Sequence, residues 1–133
     1  MIWVELVTIL VVLQFVAFGI LVGMARHRHG IQAPATSGHP QFECYFRVHM
    51  NTLETLVVLL PSMWIAAQFW SPRLCAALGA VYLVGRMMYL RAYVSSPKTR
   101  ALGYNLSITP ALVLALAALV GIVRQLIRAG GMM

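Results

Sequence analysis

SITPALVLALAALVGIVRQLI, Ser107–Ile127, decides the fold: from Ile108 to Val123 no side chain can ionise and no polar face recurs at helical spacing. A helix that is apolar all round has no solvent side, and about 20 such residues cross a hydrocarbon core of ~30 Å. Three further runs of this kind lie upstream, at about residues 2–25, 48–70 and 74–93, the first interrupted only by Glu5 and Gln14. The runs are long and do not alternate, which excludes a membrane β-barrel. The expectation is an all-α integral membrane protein, a bundle of four transmembrane helices in one domain spanning residues 1–133.

Composition agrees. The chain is 61% hydrophobic and 10% charged, with a mean hydropathy of +0.83, far from a water-soluble domain. The N-terminus MIWVE lacks the basic start of a secretory signal, and the cluster RHRHG follows the apolar run, so the first span is expected to be retained. Pro61 falls inside the second span, where it should kink the helix, and Pro110 is read as close to the start of the fourth. Ala117 and Gly121 form a small-xxx-small pair suited to close helix approach.

Cations set the expected orientation. Arg26, Arg28, Lys98 and Arg100 lie in the connections 26–46 and 94–107, with Arg47 and Arg91 at adjoining helix ends. Arg73, Arg124 and Arg128 lie on the other side. The positive-inside rule then places both connections in the cytoplasm and both termini opposite. A net charge of +7 reflects this topology and contact with anionic membrane lipid. Nucleic acid is excluded as a partner, because no soluble basic surface exists to bind it.

Cys44 and Cys75 fall near opposite ends of their helices, too far apart for a disulfide. His27, His29, His39 and His49 are scattered and no metal-binding spacing occurs, so no metal site is expected.

Two polar stripes break the apolar pattern. Arg47, Asn51 and Glu54 stand at i, i+4 and i+7 on the second helix; Arg86, Tyr89 and Tyr93 stand at i, i+3 and i+7 on the third. Singly, each has an ordinary reading: Arg47 as a snorkelling cation, the tyrosines as an interfacial belt. Glu54 and Arg86, about two turns inside, are less easily dismissed, because a charge there costs about 2.5–3.5 kcal/mol on insertion scales. A Glu54–Arg86 ion pair registering the helices is the plain explanation. It leaves Arg26, Arg47 and Arg100 unneutralised at the same depth, and a pocket with surplus cations expects an anionic guest. Guanidinium forks suit carboxylates, Glu54 suits an ammonium and Asn51 suits a peptide group. A short acidic peptide such as glutathione meets all three requirements.

With these residues in view, FECYFRVHMNTLE followed by GRMMYLRAYVSSPKTR resembles the membrane-associated proteins in eicosanoid and glutathione metabolism, the family of microsomal glutathione transferases and the leukotriene-forming synthase. The specific part of the resemblance covers about Arg26 to Arg100. It implies a homotrimer binding glutathione as co-substrate between neighbouring subunits, with a lipophilic electrophile arriving from the bilayer. Carried over by position, Arg47, Asn51, Glu54, Tyr89 and Tyr93 would bind glutathione from one subunit, with Arg26 and His49 reaching in from the next. Arg100 matches the arginine assigned to the thiolate, and Arg86 a position supporting the pocket. His49, Thr55 and His27 depart from the leukotriene-forming pattern, which has glutamine, tyrosine and arginine there, so leukotriene formation is not implied. Two rivals remain: a small multidrug transporter that exchanges protons at Glu54, and a non-catalytic lipid-binding scaffold of the same family. Arginines around the carboxylate disfavour the first by repelling cationic drugs.

Overall fold

The computed structural model describes residues 1–95 and 100–132. Four helices follow one another: α1 (Ile2–Arg28), α2 (Pro40–Phe69), α3 (Pro72–Ser95) and α4 (Arg100–Gly130). All four are long and apolar enough to cross a membrane, and there is no strand among the described residues. The central pair is α2 and α3; α1 packs on both, α4 packs on both, and among the described residues α1 and α4 do not touch.

Two helices start well before their apolar runs. His39 caps α2, its Nδ1 accepting the Gln41 amide at 3.1 Å, and Pro40 takes the first turn, where its missing N–H is not needed. α4 starts at Arg100, which places Pro110 well inside the helix rather than near its start. Pro61 likewise sits within an unbroken α2. The α2–α3 link is only Trp70 and Ser71, and the Ser71 hydroxyl accepts the Leu74 amide at 3.4 Å.

Packing is tightest between α3 and α4. A β-carbon at Gly103 would lie 2.5 Å from the Tyr89 amide nitrogen, and one at Gly85 would lie 2.8 Å from the Leu106 carbonyl carbon. Glycine at both positions lets the two backbones meet, as small residues do where lipid gives no hydrophobic drive between helices. The main core joins Val4, Val7 and Val11 of α1 to Leu59 and Met63 of α2, Tyr82 of α3 and Leu114 of α4. Outward-facing leucine, isoleucine and valine, such as Ile9, Val57, Leu116 and Leu126, remain exposed, as suits a lipid-facing surface. Met87 is among these exposed residues, while Met88 is half-buried. Cys44 and Cys75 are both free thiols. Lys98, used above to orient the chain, lies outside the described residues.

Candidate functional site

Arg86 organises the polar region. It is a fully buried arginine, 0% exposed, and its bonds reach both neighbouring helices. Nε donates to the Ser107 hydroxyl of α4 at 2.8 Å; Nη1 donates to Asn51 Oδ1 at 2.8 Å and to the Thr52 hydroxyl at 3.3 Å on α2. Thr52 and Ser107 each donate to a backbone carbonyl one turn back, Val48 and Gly103, at 2.7 Å, leaving their oxygens free to accept. Nη2 is buried without a partner.

An arginine only donates, so the Asn51 atom facing it must be the carbonyl oxygen. This fixes the amide: its Nδ2 turns outward and donates to Glu54 Oε2 at 3.4 Å. Arg86 and Glu54 are thus joined through Asn51 rather than by a direct ion pair, which corrects the plain reading of a helix-registering salt bridge. Arg47 and Glu54 are exposed and Asn51 is half-buried, so the stripe lies on the outside of the bundle, backed by the buried guanidinium.

A ladder of rings and cations extends the region toward the start of α4. The Arg86 guanidinium lies 4.4 Å from the Tyr89 ring centre; Tyr89 meets Tyr93 edge-on at 5.5 Å; the Arg100 guanidinium lies 5.0 Å from the Tyr93 ring centre. Such contacts hold a cation over a π-face. The close approach at Gly103 brings Arg100 to this position, because Arg100 opens the same helix three residues earlier.

Arg26 and His49 stand apart from this group. Arg26 lies over the Phe42 ring at 4.7 Å and donates to the Ala35 carbonyl at 2.7 Å, tied to its own α1–α2 connection. His49 is about 200° around α2 from Arg47. It stacks on Phe15 of α1 at 4.4 Å, in room left by Gly19, where a β-carbon would lie 3.2 Å from its Nε2. Among the described residues no cluster of three histidine, cysteine or acidic side chains gathers to hold a metal.

Three residues of the network escape sequence reasoning. Thr52 and Ser107 accept from Arg86, and Tyr82, 0% exposed, shares a hydrogen bond with Thr55 at 2.7 Å. Their signal was a small or phenolic hydroxyl inside an apolar span, which must face protein to be satisfied. Thr55 stands where the leukotriene-forming pattern has tyrosine, and here a phenol reaches it from α3.

This arrangement defines a class: a four-helix membrane protein with a cation-rich polar face near one end. The MAPEG family model matches residues 4–120. An uncharacterised protein of Synechocystis sp. is 37% identical over 126 residues, 95% of this chain and 92% of that protein. Human microsomal glutathione S-transferase 2 is 34% identical over 115 residues, 86% of this chain and 76% of the human protein. Leukotriene C4 synthase of Cavia porcellus is 34% identical over 94 residues, 71% of this chain and 63% of that protein. The chain belongs to the MAPEG family.

Proposed function

We propose that this protein is a membrane-bound glutathione transferase that joins the glutathione thiolate to lipophilic electrophiles and also reduces lipid hydroperoxides. The observation that carries this reading is the exposed Arg47–Asn51–Glu54 face backed by the carboxylate-free guanidinium of Arg86. Left against acyl chains, such a face would cost several kcal/mol, so it calls for a zwitterionic, net-anionic guest and a covering neighbour. The similarity to a protein named as a glutathione S-transferase over most of both chains supports glutathione as that guest.

In this scheme Arg47 receives carboxylate charge, Arg86 holds the Asn51 amide with its Nδ2 outward, Glu54 receives the ammonium and Asn51 donates that Nδ2 to a peptide carbonyl. Tyr89 and Tyr93 wall the site, and a homotrimer seats Arg26 and His49 of one copy beside the stripe of the next. The site end faces the cytoplasm and both termini face away.

The chemistry rests on the thiol. At its ordinary pKa of about 8.5 only a few per cent is thiolate at pH 7, and the thiolate is the nucleophile. Arg100, held over Tyr93, places a positive charge beside the sulfur and favours loss of the thiol proton to water; a shift of two units is worth about 2.7 kcal/mol. The sulfur lone pair then attacks an electrophilic carbon, forming C–S as the leaving group or ring oxygen takes the bonding pair. With a hydroperoxide the thiolate attacks the terminal oxygen, the O–O bond breaks and the departing alkoxide takes a proton from water to leave as an alcohol, and a second glutathione converts the sulfenic acid to a disulfide and water.

Titrating the detergent-purified protein with glutathione while recording thiolate absorbance tests this directly. Wild type should develop the signal at pH 7, and Arg100→Ala should bind glutathione within about threefold yet lose most of the signal and of turnover. Equal thiolate formation in the variant would move the activating role elsewhere. No glutathione uptake by wild type, together with proton-coupled drug uptake in vesicles, would replace the proposal with the transporter.

A further inference from the structure

At the end of the bundle remote from the polar stripe, a cleft of about 340 Å³ opens between the end of α2 and the last turns of α4. It is lined by Phe69, Trp70, Gly121, Arg124, Gln125 and Arg128. We propose that this cleft is a binding site for the phosphate headgroup of an anionic phospholipid.

The cleft is held in shape by specific contacts. A β-carbon at Gly121 would lie 2.5 Å from the Phe69 ring, so the glycine lets α4 close onto the end of α2 and form a floor. The Trp70 indole N–H is already committed to the Ala117 carbonyl at 2.9 Å, which fixes the ring and leaves its face to receive Arg124, at 5.5 Å from the ring centre. Arg128 follows one turn later on the same side, with the Gln125 amide beside it. Two guanidiniums and an amide are the donors a phosphodiester requires.

Among the described residues no acidic side chain in the cleft neutralises them. The chain holds only three acidic residues, Glu5, Glu43 and Glu54, and none lines the cleft. Glu5 shares this end of the bundle but sits on α1, which does not touch α4 among the described residues. The choice of phospholipid over free phosphate follows from what adjoins the cations. Val120 and Leu116, one and two turns further into the span from Arg124, are 48% and 62% exposed, an apolar strip for an acyl chain directly below the charges. Beyond Gly121 the helix runs on with exposed residues only, so the cleft is open to the bilayer surface.

The test uses Trp3→Phe with Trp64→Phe, which leaves Trp70 as the sole tryptophan, and reads quenching by brominated phosphatidylglycerol or brominated phosphatidylcholine in mixed micelles. Phosphatidylglycerol should quench at a concentration roughly tenfold lower or better, since each basic side chain at the surface favours anionic lipid. Adding Arg124→Gln with Arg128→Gln should abolish the preference, while Arg73→Gln, a cation at the same end outside the cleft, should leave it. Thermal unfolding of each variant confirms that it is folded. Equal quenching by the two lipids overturns the proposal, as does an equal loss on Arg73→Gln, which would reduce the effect to general surface charge. Inorganic phosphate that displaces the lipid at millimolar concentration would also overturn it, by making the ligand a free anion.

Discussion

Arg86 shows how far spacing reads and where it stops. Helical periodicity alone aligns Arg47 with Asn51 and Glu54, and Arg86 with Tyr89 and Tyr93, because one turn is a fixed 3.6 residues. It does not reveal that Asn51 stands between the two charges, or that Ser107, 21 positions along the chain, accepts from the guanidinium, because those contacts depend on how three helices pack. The buried cation has no carboxylate, one unpaired nitrogen, and neighbours that keep other hydrogen bonds without it. Arg86→Met should therefore change stability by no more than about 1 kcal/mol, as replacing buried charges with packed apolar groups often does. Glutathione affinity should fall roughly tenfold, about 1.4 kcal/mol, because the Asn51 amide is no longer held donor-outward. Calorimetry beside a melting curve separates the two effects; strong destabilisation with unchanged affinity would make Arg86 purely structural. Tyr82→Phe deletes the hydroxyl's bonds to Thr55 and to the Thr52 carbonyl and should cost about 1 kcal/mol in the same melting experiment, with glutathione affinity unchanged.

Among the elements, the apolar cores of the helices were legible and their polar starts were not. Hydropathy sees neither the His39 cap nor the Pro40 first turn, although a capping residue followed by proline is a start signal that sequence reading can use. The α3–α4 crossing was equally hidden, since a lone glycine carries no label saying which backbone it will meet. Gly103→Ala presses a methyl onto the Tyr89 backbone, which cannot swing away as a side chain does, and should destabilise by about 1–3 kcal/mol. It should also lower turnover by pulling Arg100 off Tyr93. Gly23→Ala, with nothing within 4 Å of the added carbon, should leave activity alone and stabilise α1 by up to about 1 kcal/mol. If the two substitutions behave alike in thermal melts, close backbone contact is not what holds α3 to α4.

At the scale of the whole molecule, a single bundle leaves Arg47 and Glu54 exposed on its flank. The proposed assembly covers them, so sedimentation in mild detergent should give three chains per particle, and glutathione should stabilise that particle against dissociation. A stable single chain that binds glutathione with full affinity would remove the shared site. Composition and apolar runs suffice for the membrane class because the bilayer tolerates so few alternatives, whereas assembly is written in surfaces whose partners lie outside one chain.

The buried Arg86 also bears on biogenesis. Its hydrogen-bond partners lie on a helix made before it and on one made after it. Because α2 and α3 are less apolar than α1 and α4, α3 on its own should enter the bilayer poorly, and its stable integration should wait until α4 has emerged from the ribosome. Nascent chains arrested before Ser107 should hold α3 beside the translocon, and release should come only with the segment that completes the arginine's shell.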